Sequence, residues 1–249
     1  MKKEEALALH LADNNLILGQ RLSEWCGHGP VLEEDIALSN MALDYIGQAT
    51  LLFKHVAETS GDAKTEDDWA FLRDAWDYKN FLALELPNGD YAFTIARQYL
   101  YSEWYNLYLN ELSKSSNTFL QEFALKSVKE VRYHLQHGRD WVLRMGDGTE
   151  ESHARIQKAI NDIWNYTGEW FIPNTNDTDI SASGICPNVE SLHQTWMENV
   201  QATLNEATLQ MPVSGWMHKG GREGKHTEHL GHLLSEMQFL QRTYPNSKW

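Results

Sequence analysis

The sequence predicts an all-α protein, a bundle of four long helices with further helices on its flank. Three observations carry this. Apolar residues recur at intervals of three and four over segments longer than twenty residues. Glycine, proline or a capping Asp or Asn stands where that periodicity stops. No stretch of useful length alternates apolar with polar as a half-buried strand does. At 249 residues the chain exceeds a typical domain of about 100–150 residues but suits one large bundle. The expectation is a single domain over 1–249, with a core over about 4–146 and flanking helices over about 150–244.

The first helix runs from Glu4 to Cys26, with Leu9, Ala12, Leu16, Leu18, Leu22 and Trp25 on its apolar side, and Gly27-His28-Gly29-Pro30 stops it. The second spans Leu32 to Thr59, its N-terminal dipole favoured by Glu33, Glu34 and Asp35. Some 28 residues at 1.5 Å each make it about 40 Å long, which suits an elongated bundle. Asp62 to Glu85 is acidic, then aromatic (Trp69, Phe71, Trp76, Tyr78, Phe81), and reads as one short helix and a loop. Asp90 caps a third long helix to about Ser113, dense in tyrosine and tryptophan. Asn117 caps a fourth, which ends at Gly146-Asp147-Gly148. A helix over Ser152–Phe171, a polar loop over Pro173–Pro187, a helix over Asn188–Gln210, a basic glycine-rich loop over Gly215–Lys225 and a helix over His226–Tyr244 complete the chain.

Composition narrows the function classes. Hydrophobic residues at 42% and ten tryptophans exclude a disordered chain. No apolar run approaches the ~20 residues of a membrane span, and Met1-Lys2-Lys3-Glu4-Glu5 leads into no secretory core, so an export signal is not expected. Cys26 and Cys186 make no disulfide framework, and reduced thiols in the cytoplasm follow. A net charge of −14 argues against a nucleic-acid surface. The ten tryptophans and the aromatic third helix predict a large apolar contact surface for a partner bundle.

The chemistry centres on Lys126–Trp141. In four-helix di-iron proteins two helices each carry Glu and His three residues apart, facing the bundle centre, and the other two give one carboxylate each. Here Glu130 is followed three residues on by Tyr133, and imidazoles come at His134 and His137. In the second helix Asp44 is followed at the same interval by Gly47. The first helix offers Asp13 and the third Glu103. Four carboxylates without an imidazole in either slot point to no metal, and to a buried hydrogen-bonded or salt-bridged remnant with Lys126, Lys129 and Arg132 as compensating charges. The alternative is an autonomous di-iron oxidase or oxygenase using Asp44, Glu103, Glu130 and His134. A second cluster, His226, His229 and His232, has the spacing for zinc but lacks the His-Glu-x-x-His order, so hydrogen-bonding imidazoles at a helix start are the plainer reading. A third, Arg73 to Asn80, reads as a pocket rim or as a solvated loop anchored by its aromatics. No nucleophile motif or phosphate loop is present.

Several blocks look familiar: Arg21-Leu22-Ser23-Glu24-Trp25-Cys26-Gly27-His28, Glu85-Leu86-Pro87-Asn88-Gly89, Arg97-Gln98-Tyr99, Lys129 to Leu135, His226 to Gly231, Glu236 to Arg242 and a final Trp249. In order and over nearly the whole chain, they resemble the C-subunit family of bacterial ring-1,2-phenylacetyl-CoA epoxidases. The resemblance implies a ferritin-like subunit of a multicomponent oxygenase of phenylacetate degradation. A related A subunit holds the di-iron centre and inserts oxygen into the ring of phenylacetyl-CoA. A reductase with flavin and an iron–sulfur cluster supplies electrons. The C subunit pairs tightly with A, is structural, and binds no cofactor itself; alone, it is a candidate homodimer. Asp77, Tyr78, Lys79 and Asn80, with Thr178, Asp179 and Ile180, match stretches at the acyl-CoA edge of the family.

Overall fold

A computed structural model describes residues 1–213, 215–245 and 247; Trp249 lies outside the described residues. Among them all regular structure is helical, as the periodicity requires. The α-helices are α1 Lys3–Ser23, α2 Leu32–Thr59, α3 Glu66–Phe71, α4 Leu82–Glu85, α5 Tyr91–Leu112, α6 Thr118–Gly146, α7 Glu150–Trp164, α8 Thr175–Ala182, α9 Val189–Glu206, α10 Glu228–Met237 and α11 Phe239–Thr243. The capping residues work as expected. The Asp90 side chain accepts the Phe93 N–H at 2.9 Å, and Asn117 accepts that of Leu120 at 3.1 Å. Among the described residues no helix is long and apolar enough to cross a membrane.

The chain divides into two compact units, residues 1–87 with 219–249, and residues 88–218. In the first, α1 and α2 pack as a helical hairpin, and Gly19 lies so close that an added Cβ would stand 2.9 Å from Ile46 Cγ1. In the second, α5 and α6 pair likewise over Gly138, where a Cβ would stand 3.0 Å from Tyr99 Cα. Each unit thus contains one long helical hairpin. The division crosses the expected core and flank: α10 and α11 belong with α1 and α2, while α7 to α9 belong with α5 and α6.

Five expectations change. The stretch 62–85, expected as one short helix and a loop, holds α3, a 3-10 turn over Ala75–Asp77 and α4. The polar stretch 173–187 is not all loop, because Asn174 accepts the N–H groups of Asn176 and Asp177 at 2.8 and 3.0 Å and starts α8. The helix expected over Ser152–Phe171 ends at Trp164 and resumes as a single 3-10 turn over Gly168–Phe171, with Gly168 pressed against Met217. The last helix is two, parted at Gln238, whose amide donates to the Arg73 carbonyl at 3.0 Å. Finally, the aromatic helix is not a contact surface. Tyr99, Tyr101, Trp104, Tyr105 and Tyr108 are buried, with Trp104 stacked on Tyr108 at 5.0 Å and Trp170 edge-on to Trp196 at 5.9 Å, so these rings cover one another.

Candidate functional site

The would-be metal positions divide by helix face. In α2, Asp44 is half-buried and Gly47 is exposed, with nothing within 4 Å of an added Cβ. In α6, Glu130 is half-buried and Tyr133 is 53% exposed. The positions three residues after each carboxylate therefore look outward, and the reading of Gly47 and Tyr133 as vacated inward imidazole slots is corrected. The inward pairs at that interval come one residue later: Tyr45 and Gln48 in α2, Val131 and His134 in α6, all buried. A one-residue step is a 100° rotation on a helix. The inward register thus carries a phenol, an amide, an aliphatic group and one imidazole, without a carboxylate.

The remaining acids are engaged elsewhere. Asp13, fully buried in α1, receives the Arg73 guanidinium on both oxygens, with Nη1 3.0 Å from Oδ2, and the Lys79 N–H at 2.9 Å. Arg73 itself lies with Cζ 4.1 Å from the centre of the Tyr78 ring. Glu103, buried in α5, accepts the Asn199 amide at 2.6 Å, and burial pushes its carboxyl above the ordinary range. Among the described residues no three His, Cys, Asp or Glu side chains are grouped so as to hold a metal ion. A dinuclear iron group needs several ionised carboxylates aimed at it. Asp13 instead faces a fixed cation and Glu103 an amide donor, so the residues present do not fit that group.

The three histidines near the C-terminus are not brought together. His226 precedes α10, so it shares no helix face with His229 and His232. Its Nδ1 lies 2.7 Å from Glu85 Oε2 and its Nε2 lies 2.9 Å from the Tyr78 carbonyl oxygen. Both partners accept, so the doubly protonated ring satisfies both contacts. Burial alone would lower its pKa, but the Glu85 carboxylate and the Tyr78 carbonyl outweigh burial and raise it. His232 is exposed.

Around this pair lies a polar knot that sequence reasoning missed. Buried Glu85 also accepts the Thr227 N–H at 2.6 Å and the Asn80 amide at 2.8 Å. Arg21 donates to the Glu85 carbonyl at 2.7 Å. Asn14 accepts the Phe81 N–H at 2.8 Å, while its amide meets His10 Nε2 at 3.2 Å and His10 Nδ1 reaches the Lys79 carbonyl at 2.6 Å. The knot satisfies the backbone of the irregular segment 77–86, which α1 could not otherwise bury. Its trace in the sequence was the polar His10, Asp13, Asn14 and Arg21 set among the leucines of the first helix.

The residues carried over for acyl-CoA fall into two groups. Tyr78 and Asn80 are buried: the Tyr78 hydroxyl donates to the Ala70 carbonyl and accepts from Gln238 at 3.0 Å. Asp77 is exposed and Lys79 half-exposed, its ammonium donating to the Trp76 carbonyl at 3.1 Å. On α8, Thr178 and Asp179 are exposed and Ile180 is buried; a cleft of about 270 Å³ beside them is lined by Pro173, Asp177, Thr178 and Glu190. The first stretch lies in the unit of α1 and α2, the second in the unit of α5 and α6. A ligand at either would meet Asp77 and Lys79, or Thr178 and Asp179, rather than all seven side chains.

Comparison with known proteins gives two findings. The family described as phenylacetic acid catabolic protein matches residues 2–249. The C subunit of the 1,2-phenylacetyl-CoA epoxidase of Escherichia coli (strain K12) is 43% identical over 249 residues, covering 100% of each chain.

Proposed function

The chain belongs to the phenylacetic acid catabolic protein family, and from that membership we propose that it is the non-catalytic C-type subunit of a multicomponent phenylacetyl-CoA epoxidase. Its role on this reading is to pair with and stabilise a related A-type subunit in the cytoplasm. That partner holds the di-iron centre, the reductase holds flavin and an iron–sulfur cluster, and this chain binds none of them. Its contacts to phenylacetyl-CoA come either from Asp77 and half-exposed Lys79 or from Thr178 and Asp179.

What carries the reading is the Asp13–Arg73 pair. A divalent cation at Asp13 would have to displace a buried guanidinium that is itself held by three other groups, leaving that charge uncompensated at a cost of about 3–5 kcal/mol. The carboxylate is therefore committed to the fold rather than available to iron. The test has two arms. The chain purified alone and incubated with excess ferrous iron should retain no stoichiometric metal after desalting. Co-expressed with an A-type subunit, it should elute with it as one species in gel filtration at physiological salt. A pair of tightly bound irons per lone chain, or separate elution of the two proteins, overturns the proposal.

A further inference from the structure

The rings packed inside the unit of α5 to α9 form an unbroken row. At the surface of α9, exposed His193 stands edge-on to Phe171 with the ring centres 4.7 Å apart, and Phe171 lies 5.3 Å from Trp196. From Trp196 the row passes to Trp170 at 5.9 Å, from Trp170 to Trp104 at 6.4 Å, and from Trp104 to Tyr108, stacked on it at 5.0 Å. The three tryptophans are each 1% exposed and Tyr108 is 3% exposed. Phenylalanine would fill a core as well, but indole and phenol, unlike benzene, give up an electron to a strong oxidant. Electron tunnelling slows exponentially with distance, so a series of hops between neighbouring rings outruns one long jump. The indole Nε1–H of Trp196 donates to the Leu100 carbonyl oxygen at 3.1 Å, an acceptor too weakly basic to take the proton. An oxidised Trp196 therefore stays a cation and passes its charge on, instead of trapping it as a neutral radical.

We propose that this row is a conduit for single-electron oxidation, leading from the α9 surface at His193 through Trp196, Trp170 and Trp104 to Tyr108. The oxidant is a one-electron acceptor at that surface, strong enough to ionise an indole. It gains one electron from Trp196 and leaves an indole radical cation there. Trp170 then gives an electron to Trp196, and Trp104 to Trp170, each transfer returning the earlier ring to its closed shell. Tyr108 gives the last electron to Trp104 as its O–H bond breaks, the proton passing to water and a neutral phenoxyl radical remaining. The balance is one electron to the oxidant and one proton to solvent. Burial sets the direction of travel: a radical cation in a dry site lacks its hydration, whereas the phenoxyl carries no charge. Tyr108 is also the least buried of the four oxidisable rings in the row, so its proton has the shortest way out. The inference goes beyond the function proposed above, does not rest on it, and is tested on the chain alone.

The test creates such an oxidant at the outer end of the row. In the full chain with Cys26→Ser, which removes the exposed thiol, His193→Cys is labelled with a ruthenium polypyridyl photosensitiser. A laser flash with an electron-accepting quencher in solution then leaves ruthenium(III) beside Phe171. Transient absorption should show an indole radical cation rising as ruthenium(III) decays, and a tyrosyl radical rising as the indole signal falls. Trp170→Phe should keep the indole signal and lose the tyrosyl signal. Trp196→Phe should lose both, and Tyr108→Phe should lose the tyrosyl signal alone. Phenylalanine keeps a ring at each position, and the melting temperature of each variant checks its fold. Should Trp170→Phe fail to fold, Trp196→Phe and Tyr108→Phe still decide. A parent in which ruthenium(III) yields no protein radical, or a tyrosyl signal that survives Trp170→Phe, Trp196→Phe or Tyr108→Phe in folded protein, overturns the proposal.

Discussion

Arg73 is a buried guanidinium with a partner on each side: Asp13, the carbonyls of Trp69 and Asp77, and the Tyr78 ring. Removing one member of such a pair leaves the other charged and dry, so Arg73→Met should cost about 3–5 kcal/mol. Adding Asp13→Asn removes the stranded charge and should recover part of the loss. Urea unfolding of the single and double variants decides it; equal losses would mean that Asp13 is not the charge Arg73 answers. His226 sets a pH dependence of known sign. Its folded pKa is raised above the ordinary value of 6.5, so its contribution is complete below about pH 6.5 and is lost as pH rises through the folded value. His10 acts in the opposite direction. Burial holds its folded pKa well below 6.5, so its contribution is present above that value and is lost on acidification. Wild type should therefore lose stability relative to His226→Gln on the alkaline side, while the acid limb is common to both. Denaturation midpoints from about pH 5 to 9 read this directly; parallel curves above about pH 6.5 would remove His226 as the titrating group.

At the scale of the element, glycines in long helices serve different ends. Gly146 closes α6 against the turn after α9, where an added Cβ would overlap the Ala207 carbonyl oxygen. Gly146→Ala should therefore cost about 1–3 kcal/mol through overpacking. Gly47→Ala, in open space, should stabilise the monomer by roughly 0.5–1 kcal/mol. The same substitution thus has opposite signs in two helices, and chemical denaturation of the pair checks it; a loss at Gly47 would mean that its own chain packs there after all. Helix starts were legible because a cap is a local event: Asp90 and Asn117 bond to N–H groups three residues ahead. The α8 helix was not, because its stretch is polar and turns only Asp177 and Ile180 inward. The break at Gln238 was hidden too, since a single residue there is spent on Arg73 and Tyr78, remote in the chain.

Across the molecule, the chain returns on itself. The segment 219–249 rejoins the unit of α1 and α2, where His226 and Thr227 bind Glu85 and Gln238 binds the Arg73 carbonyl. Sequence order suggested a core followed by a flank, but chain order does not state which hairpin a late helix will join. The all-α class, the limits of α2, α5 and α6 to within a residue or two, and the family membership were legible in the order of residues alone. That order also places no imidazole three residues after Asp44 or Glu130. Which way those helices face is visible in the fold alone: Asp44 and Glu130 are half-buried, while Tyr45 and His134 are buried, Tyr45 one residue and 100° from Asp44. It alone revealed that the α5 rings are buried while Leu32, Ile36, Leu43 and Leu51 of α2 stand exposed. The reason is one of range. Helix periodicity and caps are settled by neighbours within a turn, whereas the inward direction of a helix, and the partner of a buried charge, are set by segments that the chain brings back from sixty or more residues away.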